Sequence, residues 1–304
     1  MPVSWIPPEP PVPAEQRARD RVHLRYEDVS QDGHLVVEAL PHALGAVWRR
    51  LSQARPIAFG DGVVAILSRV VVEGGEGPVS VNAVAEAEGF YHLAHTVGPD
   101  GAVDRLVLAM WAQVIAPLGR THPPTPPDAG RPLVAGRVFA EHVFTRPFAP
   151  AATRKVRALD RGDGRLFVPE DRYVFRDAEA TGSLPEGATP LDAEPVIDEA
   201  STVFGLDHTD SNQHVNSLVY PRLFIEAALR RARVLDAAGR GGSPPLARTM
   251  DLAFRKPCFA GEQARIASRA FVLDERLGIA GTLNAEGDAA GARPRCAARL
   301  LFDR

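Results

Sequence analysis

Asp210, Asn212 and His214 occupy alternate positions in one short run, residues 206–216, and Asn216 continues the same spacing. A stretch with helical spacing follows directly, residues 217–235. The first N–H groups of such a helix have no partner within it. A carboxylate or an imidazole can hold a water and take its proton. An amide can orient that water, and fixed N–H groups at a helix start can receive the charge of an oxyanion. Together these groups are the equipment for attack by water on a carbonyl carbon.

Each residue also has a plainer reading. Asp and Asn favour turns and helix starts, so Asp210 and Asn212 could serve only as turn residues and Asn216 only as a cap. His214 alone could be a satisfied structural histidine. The shared register of the four favours a site. Glu226 is flanked by Arg222 and Arg230 at helical spacing, with Arg233 on the same arc, which predicts a solvated ion-pair face. Cys258 has only Arg255 and Lys256 nearby as activators of a thiolate. His92 and His95 fall in a strand candidate and would point to opposite faces, which excludes them as a metal pair. No metal and no cofactor is expected.

These groups are set in a chain of 304 residues with a formal net charge of −3, which carries no basic footprint for nucleic acid. Arginine supplies its cations almost throughout, Lys155 and Lys256 being the exceptions. Cys258 and Cys296 are too few for a disulfide framework or a zinc cluster and fit a reducing compartment. No apolar run approaches the ~20 residues that span a bilayer. The proline-rich start has neither the basic nor the apolar region of a signal peptide and reads as a disordered or extended arm. A cytoplasmic location without membrane contact is expected.

Two similar halves must position the motif. The first offers a strand at residues 21–26, a helix at 35–51, then strands at 63–72, 79–87, 90–97 and 103–115, with Gly89 read as a separator. Residues 117–132 are rich in proline and glycine and read as a linker. Extended stretches at 137–144 and 165–175 follow. The second half offers a strand at 200–206, the motif, a helix to Leu235, a loop at 239–245, and strands at 249–257, 263–273, 279–286 and 295–302. His34 and His214 lie 180 positions apart, and Pro41 and Pro221 share that offset early in their helices. At the same offset Asp210 faces Ser30, Asn212 faces Asp32, Asn216 faces Val36 and Glu226 faces Ala46. An internal duplication is the simplest reading. The first copy keeps the histidine and loses the acid and the amides in place, so chemistry is expected at the second copy alone.

The run from Asp210 through Asn212, His214, Val215 and Asn216, with Tyr220 after it, resembles the signature of the hot-dog acyl-(acyl-carrier-protein) thioesterases. The likeness is specific over about twenty residues and extends as architecture over residues 21–304. It implies an α+β fold of two tandem hot-dog repeats, each a central helix wrapped by an antiparallel sheet, with the sheets joined edge to edge. The expected boundaries are a disordered arm at 1–20, a first repeat with a degenerate site at 21–118, a linker and extended segment at 119–195, and a second repeat at 196–304. The resemblance implies that Asp210 activates or orients water, Asn212 positions water or carbonyl, and His214 acts as acid, base or electrostatic support. It places Asn216 and Cys258 at the substrate. The plant enzymes of that family carry a Glu-Cys pair on a later strand. Here Cys258 matches the cysteine and Pro257 stands where the glutamate would be, which leaves Asp210 as the leading base.

The activity so implied is hydrolysis of a fatty or related acyl thioester of acyl carrier protein or coenzyme A. A hot-dog hydratase or dehydratase, and a non-catalytic acyl-binding module, are the alternatives. No nucleic-acid or membrane partner is expected, and a homodimer is allowed. Arg230, Arg231 and Arg233, with Arg154, Lys155 and Arg157, form a patch that could steer an acidic carrier protein.

Overall fold

The computed structural model describes residues 4–54, 62–235, 245–289 and 292–303. The chain divides into two compact units, Met1–Leu35 with Ala39–Arg176, and Val36–Glu38 with Asp177–Arg304.

In the first unit, β1 (Arg17–His23), β2 (Val64–Gly74), β3 (Val84–Val97), β4 (Val103–Pro117) and β5 (Pro132–Thr145) form an antiparallel sheet. Its order is β1-β3-β4-β5-β2. Helix α1 (Leu44–Ala54) connects β1 to β2 and buries Leu44, Ala46, Val47 and Leu51. A helix over residues 35–51 was expected. Instead Val37–Ala43 is 3-10 helical and contains Pro41, which has no N–H for an α-helical bond.

β4 holds an unbroken buried run from Leu106 to Ala112, as a strand covered on both faces should. Helix α1 covers one face. On the other, Phe90 stacks on Trp111 with ring centroids 5.2 Å apart, and the N-terminal arm lies over them. Trp111 Nε1 donates to Pro7 O at 3.0 Å, Ser4 Oγ donates to Glu73 Oε1 at 2.8 Å, and Trp5 is buried. The expectation of a disordered arm over residues 1–20 is therefore corrected from residue 4 onward. Tertiary contacts order a segment that has no periodicity of its own; Met1 to Val3 lie outside the described residues.

Further corrections concern glycine and proline. Gly89 separates no strands but sits inside β3, where a Cβ would stand 2.3 Å from Trp111 O and 2.8 Å from Val47 Cγ2. Its lack of a side chain lets α1 approach the sheet. Residues 117–132 are not a linker between repeats. They join β4 to β5 as a hairpin, closed by Leu118 N–H to Arg131 O at 2.7 Å, and the compact unit runs on to Arg176. Of residues 165–175 only Leu166–Phe167 is a strand. The following segment fastens to the free part of the β3 edge, with His95 N–H donating to Asp171 O at 2.9 Å and Tyr173 N–H to His95 O at 2.7 Å.

The second unit repeats the plan. β6 (Val196–Val203), β7 (Ala247–Phe254), β8 (Gln263–Leu273), β9 (Arg276–Ala285) and β10 (Cys296–Phe302) pair in the order β6-β8-β9-β10-β7. Helix α2 (Val219–Leu235) connects β6 to β7 and buries Tyr220, Leu223, Phe224, Ala227 and Ala228 along one stripe. Pro221 lies in its first turn, where the missing N–H costs little. Of the loop expected at 239–245, residues 239–244 lie outside the described residues. Both units thus share one connectivity, with the helix between their first and second strands. This is the α+β fold of two tandem hot-dog repeats.

Candidate active site

From β6 the chain passes through Phe204 into a 3-10 turn, Leu206–His208. Gly205 donates its N–H to His208 Nδ1 at 3.2 Å, which puts the proton of a neutral ring on Nε2. Thr209 and Val215 then pair as an antiparallel bridge. Inside it, Asp210 N–H donates to His214 O at 3.1 Å; outside it, Asn216 N–H donates to His208 O at 2.9 Å. Asp210 and His214 therefore stand opposite each other at the neck of a tight loop. Its reversal is made by Gln213, whose N–H donates to Asp210 O at 2.9 Å and whose φ is 65°, in the left-handed region.

The loop brings Asp210, Asn212 and His214 together. Asp210 Oδ1 accepts the Asn212 N–H at 2.8 Å, an Asx turn that fixes the carboxylate. Asp210 and His214 are half-buried and Asn212 is exposed. Among the described residues the second carboxylate oxygen of Asp210 accepts no protein hydrogen bond.

Asn216 takes the capping position that its residue type allowed. Its Oδ1 accepts the Leu218 N–H at 2.9 Å and its carbonyl accepts the Val219 N–H at 3.0 Å, so it caps α2. The cap uses two N–H groups expected to meet an oxyanion, and Pro221 has none. Among the described residues, the backbone N–H groups of His214 and Ser217 have no protein acceptor.

Cys258 lies in the loop after β7. Its carbonyl accepts the Val215 N–H at 2.8 Å and its N–H donates to Tyr220 Oη at 3.2 Å. The side chain has no exposed surface. Burial pushes its thiol up, against the smaller opposing effect of the Tyr220 hydroxyl, and burial likewise pushes the Tyr220 phenol up. The thiol is enclosed, and it is the Cys258 backbone that meets the motif.

The first copy has the same loop. Tyr26–Asp28 is the 3-10 turn, Val29 and Leu35 form the bridge, Ser30 N–H donates to His34 O at 2.8 Å, and Gly33 N–H donates to Ser30 O at 2.9 Å. Its polar groups are spent on one another. Ser30 Oγ bonds the Asp32 carboxylate, and Asp32 Oδ2 lies 3.2 Å from His34 Nδ1. The His34 ring fills the space over Gly77, where a Cβ would stand 2.7 Å from ring carbon Cδ2.

Three of the six cations expected to form a patch are paired with carboxylates. Arg230 Nη2 lies 2.6 Å from Asp198 Oδ2, Arg231 pairs with Asp192, and Lys155 pairs with Asp104. Glu226 is half-exposed with Arg230 4.0 Å away, as its helical spacing suggested. Sequence reasoning missed Glu38, which belongs to the second compact unit and whose carboxyl is pushed up by burial, with Arg222 opposing. It also missed Arg295, a buried cation beside the Cys258 loop. No spacing could reveal either, since each reaches its surroundings only through the fold.

No protein-family model matches the chain, and comparison with curated proteins finds no match. Solved structures do match. An acyl-ACP thioesterase from Bacteroides thetaiotaomicron superposes with a TM-score of 0.59 at 14% identity, over 95% of this chain and 98% of that one. The 12:0-ACP thioesterase from Umbellularia californica superposes with a TM-score of 0.57 at 13% identity, over 95% and 94%. Identities this low bear on the fold. The chain therefore has the double hot-dog fold that these two solved structures share.

Proposed function

We propose that the chain hydrolyses acyl thioesters of acyl carrier protein or coenzyme A, by attack of water at the Asp210–His214 loop. The observation that carries this reading is the Asp210 carboxylate, held at the loop neck opposite His214 by the 2.8 Å bond from Asn212 N–H. Asp210 holds the water and takes its proton as the oxygen bonds to the carbonyl carbon. Asn212 orients the water or the carbonyl, and His214 supports the charge that develops. The unclaimed N–H groups of His214 and Ser217 suit the oxyanion. The intermediate then collapses, the carbon–sulfur bond breaks, and the thiolate leaves with little need of an acid. Cys258 takes no part, so no acyl-enzyme forms on it.

The test is a hydrolysis screen with matched acyl chains on both carriers. Turnover of at least one series, lost in Asp210→Ala with the fold retained, is the expected result. Hydration of enoyl thioesters without hydrolysis, or acyl binding without turnover, overturns the reading.

A further inference from the structure

Arg295 begins the last strand region and is almost fully buried. Its Nη1 donates to Pro257 O at 2.6 Å, its Nη2 to Glu262 Oε1 at 3.2 Å, and its Nε to Asp288 Oδ2 at 2.8 Å. Its backbone carbonyl accepts the N–H groups of Arg255 at 2.9 Å and Lys256 at 3.2 Å. One residue thus grips residues 255–262 at both ends. That loop in turn grips the motif on both sides. Cys258 O takes the Val215 N–H, Gly261 N–H donates to Phe204 O at 2.8 Å, and Phe204 N–H donates to Glu262 O at 3.0 Å.

The corresponding loop of the first repeat is held differently. It is held by backbone bonds, Gly75 N–H to Ala135 O at 2.9 Å and Glu76 N–H to Val134 O at 2.8 Å, and its ion pair, Arg131 with Glu76, is exposed. Val79 N–H then donates to Gly33 O at 2.8 Å, so the loop meets the first turn at its tip. In the second repeat the contact falls at Val215, at the base of the turn, and the tip that carries Asn212 stays clear.

We propose that Arg295 is a positioning residue for the candidate site: by fixing Pro257 and Glu262 it sets the Cys258 carbonyl under Val215 and so fixes the neck where Asp210 and His214 face each other. This rests on the hydrolase reading above. A guanidinium is suited to the task because its planar fork presents donors on three separate nitrogens, one to each of Pro257, Glu262 and Asp288, where an ammonium has a single nitrogen. Arg295 touches no reacting atom.

The test uses the full chain carrying Arg295→Lys, and separately Asp288→Asn, which weakens the support of the guanidinium together with the exposed 3.4 Å pair between Asp288 and Lys256 Nζ. Hydrogen exchange is read on peptides covering residues 205–218 and 255–262, beside kcat and KM. The expected result is faster exchange in those two segments, unchanged exchange in β8 and β9, and kcat lower by about 10–100-fold for Arg295→Lys with KM nearly constant. Asp288→Asn shifts both in the same direction and keeps the proposal testable if Arg295→Lys fails to fold. Unchanged exchange, or faster exchange with wild-type kcat, overturns the proposal. If the wild-type protein hydrolyses no thioester, the hydrolase reading fails, and the proposed positioning role in catalysis fails with it even where the exchange pattern shows the grip on the loop.

Discussion

Asp32 Oδ2 lies 3.2 Å from His34 Nδ1, whereas at the equivalent place in the second repeat Asn212 stands two residues before His214, whose imidazole has no carboxylate partner among the described residues. The two turns are closed by the same backbone bonds, Ser30 N–H to His34 O and Gly33 N–H to Ser30 O in one, Asp210 N–H to His214 O and Gln213 N–H to Asp210 O in the other, while their side chains differ. In the first copy the acid has moved two residues along, pairs with the imidazole and is bonded by Ser30. In the second the acid stands at the neck, held by one backbone N–H.

Replacing Cys258 by alanine separates packing from chemistry. The thiol is buried and pushed towards its protonated form. Cys258→Ala is expected to lower stability by about 1 kcal/mol in urea unfolding and to leave kcat within about threefold of wild type. Alkylation of the native protein at pH 8 should be slow and should become fast in denaturant. Loss of hydrolysis in Cys258→Ala with normal folding would restore the sulfur to the mechanism.

Gly89→Ala tests the packing of α1. The added Cβ would meet backbone Trp111 O, which cannot swing away as a side-chain tip can. A destabilisation of about 1–3 kcal/mol is expected from urea melts. A neutral outcome would mean that β3 and α1 are not in such close approach.

His142 predicts a pH-dependent loss of stability. It is buried with Nδ1 3.3 Å from Leu108 O and its ring edge-on to Trp48, and burial lowers its pKa from 6.5 to about 4. The unfolded chain takes up the proton first, so this group contributes nothing above pH 6.5. Its contribution turns against folding as pH falls from 6.5 to 4, by about 3 kcal/mol at the lower end. Denaturant midpoints across that window should fall more steeply for wild type than for His142→Phe. Parallel profiles would contradict the burial.

Much of this was legible because it is written locally. The 180-residue offset between His34 and His214 recurs in the 3-10 turns, the bridges and the turn bonds, since short-range geometry follows short-range sequence. Strand β8 matches its expected bounds for the same reason, being an alternating run between turns. What failed was set by tertiary contact. Gly89 looked like punctuation because a glycine at a helix–sheet approach and one in a turn are the same letter. The arm looked disordered because Trp5 and Pro7 are held by Glu73 and Trp111, distant in sequence. In the site, the alternation of Asp210, Asn212 and His214 was readable. The capping by Asn216 and the burial of Cys258 depend on which partner each atom finds.

The central claim is that one loop of the pair works, and that its acid is Asp210. The most direct measurement is kcat for Asp210→Asn beside Asp32→Asn on one acyl-thioester substrate. Asparagine keeps a side-chain acceptor for the turn bond in each loop, so folding is preserved while the carboxylate is lost. The account predicts a fall of roughly 10²–10⁴-fold for Asp210→Asn and a near-wild-type rate for Asp32→Asn. A near-wild-type rate in Asp210→Asn, or an equal loss in both variants, would contradict it.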